Sequence, residues 1–137
     1  MSLKLSVLSP ERKLIESALV EEVTLPTSEG QIQILPGHAT MIGLLETGVV
    51  SYRLPDGVTV SGVISTGTFE VKDDLLTVLA ETLELAKEID VARAQRAQKT
   101  AEDALRDAAL DEHQFKKYQF KLQRALVRQQ IAGKEHG

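Results

Sequence analysis

Polar and apolar positions alternate through most of the first 87 residues and then change period. Lys4-Leu5-Ser6-Val7-Leu8 alternates as a half-buried strand does, and Ser9-Pro10 ends it. Leu14–Ala18 and Leu19–Leu25 follow as the next two expected strands. Gly30 opens the alternating run Gln31–Ile34, and Pro36-Gly37 closes it as a turn. Further strands are expected at Val49–Leu54, Val58–Ile64, Phe69–Val71, Leu75–Leu79 and Thr82–Ala86, with turns at Pro55-Asp56-Gly57 and Asp73-Asp74. About ten short strands at this spacing predict an all-β sandwich or barrel.

Near residue 88 the character of the chain changes. All four prolines, and every glycine before Gly133, lie ahead of that point. From Glu88 to Ala132 there is neither, and Ala, Gln, Lys, Arg and Glu dominate. Asp90 is placed to cap a first helix, with Ile89 as its hydrophobic staple. Ala94, Ala97, Ala101, Ala104, Leu105 and Ala108 then recur at steps of three and four, which makes a narrow apolar stripe. The pattern breaks at Ala109–Glu112, and Asp111 with Gln114 reads as a capping box for a second helix. Phe115, Tyr118, Leu122, Ala125 and Leu126 form its expected apolar face, and Gly133 its expected stop. The predicted fold class is therefore α+β: an N-terminal β-sandwich over 1–87, a C-terminal antiparallel two-helix hairpin over 88–133, and a flexible tail over 134–137. An alanine stripe buries little area and short helices are marginal in water, so the hairpin is expected to depend on a packing partner and to be able to refold.

Composition narrows the function. The apolar share of 42% is enough to build a core. With no cysteine, disulfides, thiolate metal sites and a cysteine nucleophile are excluded. The net charge of −4 argues against general nucleic-acid affinity. His38, His113 and His136 have no metal-ligand spacing, so no metal is expected. The first ten residues lack a signal-peptide pattern, and no apolar run reaches the ~18 residues that span a bilayer. A soluble protein that reaches a membrane only through a partner is the expectation. There is no G-x-S-x-G elbow and no paired acid and base, so no enzyme activity is expected of the chain by itself.

Helical geometry singles out one cluster. If the hairpin turns near residue 110, position i on the first helix faces roughly 221 − i on the second. Arg93 then faces Arg128, and Ala97 faces Arg124. Three guanidinium groups gather beside a helix N-terminus, an arrangement suited to phosphate. The alternative is a solvated basic face neutralised by Glu88 and Asp90.

Three segments carry a family resemblance. Residues 22–50, EVTLPTSEGQIQILPGHATMIGLLETGVV, resemble a PG-x-EG-E-x-G-I-x-PGHAP loop and its following strand. Residues 65–80, STGTFEVKDDLLTVLA, resemble a GG-x-x-EV…VTVLA hairpin, and IDVARA at 89–94 matches an I/L-D-x-x-R-A helix start. In this order and spacing they are similar to the epsilon subunit family of the F-type, proton-translocating ATP synthase. The resemblance implies a central-stalk subunit whose sandwich binds the gamma subunit and the c-ring. It also implies a hairpin that restrains ATP hydrolysis when it extends toward the alpha/beta catalytic head. The implied location is the cytoplasmic face of the bacterial inner membrane, as a peripheral part of the complex.

The resemblance also implies site residues. Some members bind ATP through the Asp and Arg of the helix-start motif and two arginines of the second helix. The matching positions are Asp90, Arg93, Arg124 and Arg128, with Glu84 as an acidic residue just before the motif. ATP is then a regulatory ligand, and no cofactor is required. A further helix-one arginine of such members falls at Thr100. The rotor-contact loop maps to Glu29, Gln31 and His38, with Gln31 standing where Glu is common and Gln33 where Gly is common. Thr66 likewise replaces a common Gly. His38 is either an interface residue or a plain surface-turn histidine, and Glu29 either a turn carboxylate or part of the same face. Outside the resemblance, the rival reading is a free-standing ligand-binding sandwich whose hairpin only oligomerises.

Overall fold

The computed structural model describes residues 2–136, with side chains as far as Ala132. The alternation at the start of the chain becomes β1 (Leu3–Leu8), where Leu3, Leu5 and Val7 are buried and Lys4 is exposed. β2 (Lys13–Val20), β3 (Glu22–Thr27), β4 (Gly30–Ile34), β5 (Met41–Leu45) and β6 (Gly48–Arg53) follow. β7 (Thr59–Ile64), β8 (Gly67–Lys72), β9 (Leu75–Ala80) and β10 (Leu83–Leu85) complete the set.

The strands run in the order β10-β7-β6-β3-β5-β8-β9-β1-β2, with β4 also paired to β3. Among the described residues, only β1 and β9 pair in parallel; the other pairs are antiparallel. β3 bonds three neighbours in turn, so the sheet folds over on itself and closes a sandwich around one core. Phe69, Leu3, Leu5, Leu25, Ile34, Leu76 and Val78 fill that core, each no more than 2% exposed.

Two strands depart from the sequence expectation. The break between β2 and β3 falls at Glu21, not between Ala18 and Leu19. Ser17 explains the longer β2. It sits at φ 48° in a bulge, and its N–H donates to Ser6 Oγ at 3.0 Å, so the strand bends but continues. β5 was absent from the expected strands. Met-Ile-Gly-Leu-Leu shows no alternation, because its middle position is filled from outside. Gly43 pairs with Phe69 on β8, and a Cβ at Gly43 would meet that ring at 2.5 Å.

The chain divides into two compact units, Met1–Leu85 and Ala86–Gly137. The second opens with a 3-10 turn (Ala86–Glu88), then α1 (Val91–Leu105) and α2 (Glu112–His136). Both expected caps are present. Asp90 Oδ1 accepts from the Arg93 N–H at 3.1 Å. Asp111 Oδ1 accepts from the Gln114 N–H at 2.7 Å while Gln114 Oε1 accepts from the Asp111 N–H at 3.4 Å, a reciprocal capping box. Asp107 shapes the connection by accepting the Ala109 N–H at 2.9 Å.

The helical faces are narrower than expected. Ala94 and Ala101 are buried, whereas Ala108, beyond the end of α1, is exposed. On α2, Ala125, Ile131 and Ala132 are buried, while Phe115 and Leu126 are 42% and 47% exposed. Alanine on both sides lets the helices approach closely, which leaves the flanking large side chains outside the seam. α2 also runs through Gly133 to His136. Glycine is a weak helix former but ends a helix only when it takes the left-handed cap conformation. Gly137 lies outside the described residues, so the expected flexible tail is met only by this helical backbone up to His136.

Candidate functional site

Arg93 is in the first turn of α1, and Arg124 and Arg128 are one turn apart on α2. The antiparallel pairing of α1 and α2 brings all three to one groove of about 300 Å³, floored by Ala97, Ala101 and Ala125. Small floor residues are what make the groove: a larger side chain at any of them would fill it. Arg93 is exposed, and Arg124 and Arg128 are half-buried. The groove lies beside the positive end of α1, and its described lining holds no carboxylate. The spacing argument therefore placed these arginines in register.

Lys121, Tyr118 and Thr100 line the same groove, and the sequence reading missed the first two. The signal was available: Lys121 is the residue that the same antiparallel relation sets opposite Thr100. Its ammonium lies 5.5 Å from the centre of the Tyr118 ring, with Lys117 at 5.8 Å. The groove thus offers four cationic side chains and one half-buried aromatic ring. Together they can hold a polyanion that also carries a flat, stackable group.

The described lining of the groove includes neither Asp90 nor Glu84. Asp90 caps α1, with its carboxylate on the Arg93 amide. Glu84 is in β10, opposite Val63 of β7, in the first unit. The expected rotor-contact residues do not form one cluster either. Glu29 and Gln31 are exposed at the β3–β4 turn, where Thr27 Oγ1 donates to the Gly30 carbonyl at 2.6 Å and accepts from the Glu29 N–H at 3.2 Å. His38 lies beyond the other end of β4. There the His38 N–H bonds the Leu35 carbonyl at 3.1 Å, closing a turn with Gly37 at φ 81°. The His38 ring bonds the Ala39 carbonyl through Nδ1 at 2.7 Å. A carbonyl can only accept, so this bond puts a proton on Nδ1.

One surface had no sequence signal. On β5, Ile42 and Leu44 are 74% and 67% exposed, and on β9 Leu75 and Leu79 are 45% and 51% exposed. The register sets Leu44 opposite Thr68 of β8, Thr68 opposite Leu79, and Leu79 opposite Leu8 of β1. Residues directly opposite share a face, so Ile42 and Leu44 of β5 and Leu75 and Leu79 of β9 lie on one outward face, with the polar Thr68, Glu70 and Lys72 of β8 between them. Among the described residues, no helix is long and apolar enough to cross a membrane.

Residues 2–86 match the family described as the ATP synthase delta/epsilon chain beta-sandwich domain, and residues 87–133 its long alpha-helix domain. An ATP synthase epsilon chain of Trichlorobacter lovleyi is 43% identical over 132 residues, covering 96% of this chain and 94% of that protein. That of Symbiobacterium thermophilum is 37% identical over 131 residues, covering 96% and 93%. A chain of the Euglena gracilis mitochondrial ATP synthase, solved as OSCP/F1/c-ring, aligns with a TM-score of 0.81 at 20% identity, over 92% of this chain and 78% of that one. A chain of the Tetrahymena thermophila mitochondrial central stalk and c-ring aligns at 0.62 and 12% identity, over 96% and 97%. At such identities the two structures show a shared fold.

Proposed function

The chain belongs to the epsilon-subunit family of the F-type ATP synthase, and from that premise we propose that it is a non-catalytic rotor subunit whose hairpin senses ATP and restrains ATP hydrolysis. The observation that carries this reading is the meeting of Arg93, Arg124 and Arg128 in one groove. The site is made of two helices, so it exists only while α1 and α2 are paired. A nucleotide held there favours the paired hairpin by as much as it prefers that state, and so opposes any extended one. When ATP is scarce the hairpin is released toward the alpha/beta head and hydrolysis slows.

The outward patch of Ile42, Leu44, Leu75 and Leu79 supports a role in assembly. Exposed apolar side chains gathered on one face of a sheet favour burial against another subunit. Gamma is the proposed partner for it, and the c-ring the partner for the loops carrying Glu29, Gln31 and His38. Through these contacts the subunit couples proton-driven ring rotation to ATP synthesis. It sits at the cytoplasmic face of the bacterial inner membrane and is held there by the complex.

The test is to reconstitute epsilon-depleted ATP synthase with the full chain or with residues 1–85, and to measure hydrolysis at low ATP. Hydrolysis should be faster with the truncated chain. Slower hydrolysis with assembly intact would contradict the restraining role.

A further inference from the structure

We propose that Asp74 is a positioning residue for the His38 turn, holding it in the shape that docks on the rotor partner; this rests on the docking reading given above. The β8–β9 hairpin closes at the pair Lys72 and Leu75, which leaves Asp73 and Asp74 as its two turn residues. Their φ angles are 51° and 60°, the left-handed pair that a type I′ turn requires. Asparagine and glycine fill such turns most easily, and glycine above all at the second position. Asp74 carries a Cβ in a conformation that favours none. Turn stability alone would select glycine there.

The side chain accounts for the choice. Asp74 Oδ1 accepts the Gly37 N–H at 2.7 Å, across 37 residues of sequence. Its backbone carbonyl also accepts the Lys4 N–H at 2.9 Å, so the residue is anchored to β1. In the Leu35–His38 turn, Pro36 and Gly37 take the central positions of a type II geometry, with the turn bond made by the His38 N–H. That leaves the Gly37 N–H without a role inside the turn, and the carboxylate takes it up in a charge-assisted bond. Among the described residues, this is the hydrogen bond that ties the turn to another part of the sandwich. The His38 ring is fixed to its neighbour Ala39 at 2.7 Å, so it moves with the turn. Cutting the Asp74 bond therefore frees His38 and its turn together and leaves the strands paired.

The test uses the full chain in three forms besides wild type: D74G, D74N and H38A. D74G relieves the backbone and removes the acceptor, while D74N keeps an acceptor oxygen. Gly37 amide exchange, read by NMR, should be about tenfold faster in D74G and close to wild type in D74N. Binding to epsilon-depleted ATP synthase should weaken severalfold in D74G and in H38A, and recover in D74N. An unchanged Gly37 exchange in D74G would overturn the proposal. So would full-strength binding by D74G alongside weak binding by H38A. Full-strength binding by both variants would instead sink the docking reading, and the proposal with it.

Discussion

Gln129 on α2 donates its side-chain amide to Gln98 Oε1 on α1 at 2.7 Å, and to the Ala125 carbonyl at 3.2 Å. This polar pair joins two helices whose buried positions are mostly alanine, where small apolar side chains specify register only weakly. It sets how far one helix slides past the other, and so whether Arg93 meets Arg128. Replacing Gln129 with Ala leaves the half-buried Gln98 oxygen without this donor and should cost the hairpin about 1 kcal/mol. The double variant Q98L/Q129L, in which neither polar group remains, should melt close to wild type. Far-UV circular dichroism melts of the helical signal would check both. A Gln129→Ala chain as stable as wild type would show that the pair has no such role.

Gly43 and Phe69 form a second matched pair, this time in the sandwich. A Cβ at Gly43 would lie 2.5 Å from the Phe69 ring, so Gly43→Val overpacks the β5–β8 pair and should cost ~1–3 kcal/mol. Phe69→Leu shortens the ring side of the contact, and in the double variant the two costs should be less than additive. Urea unfolding of the four proteins measures this coupling directly. Additive costs would mean that the two residues do not share the space.

These pairs show what was legible in the chain. The caps at Asp90 and Asp111 are local, set by residues three apart, and they could be read at once. The gathering of Arg93, Arg124 and Arg128 was legible because two rigid helices and a short turn fix it arithmetically. β5 was not legible, because its missing side chain is supplied by Phe69 from another strand. The exposure of Leu44 and Leu79 became visible only with the register of β5, β8 and β9, which places both on the outward face. Gly133 misled because glycine permits a helix stop without requiring one.

Lys121 and Thr100 predict how nucleotide affinity is set. Lys121→Ala removes one of the four cations at the groove and should weaken ATP binding roughly threefold to tenfold, an effect that shrinks in high salt. Thr100→Arg adds a guanidinium on the opposite wall and should tighten binding by a similar factor. Competition with a fluorescent ATP analogue ranks the two variants against wild type. If neither substitution changes the affinity, the phosphates do not lie along this groove.

The central claim is that the paired hairpin is itself the nucleotide sensor, and calorimetric titration of the full chain with magnesium and ATP tests it most directly. One saturable site is predicted, lost or greatly weakened in the Arg93→Ala, Arg128→Ala double variant, with the double variant's helical signal retained. No binding up to ATP concentrations on the order of millimolar, where a free energy of only about −4 kcal/mol would register, would contradict the claim. Equal binding by the double variant would contradict it as well, and would return these arginines to an ordinary solvated face.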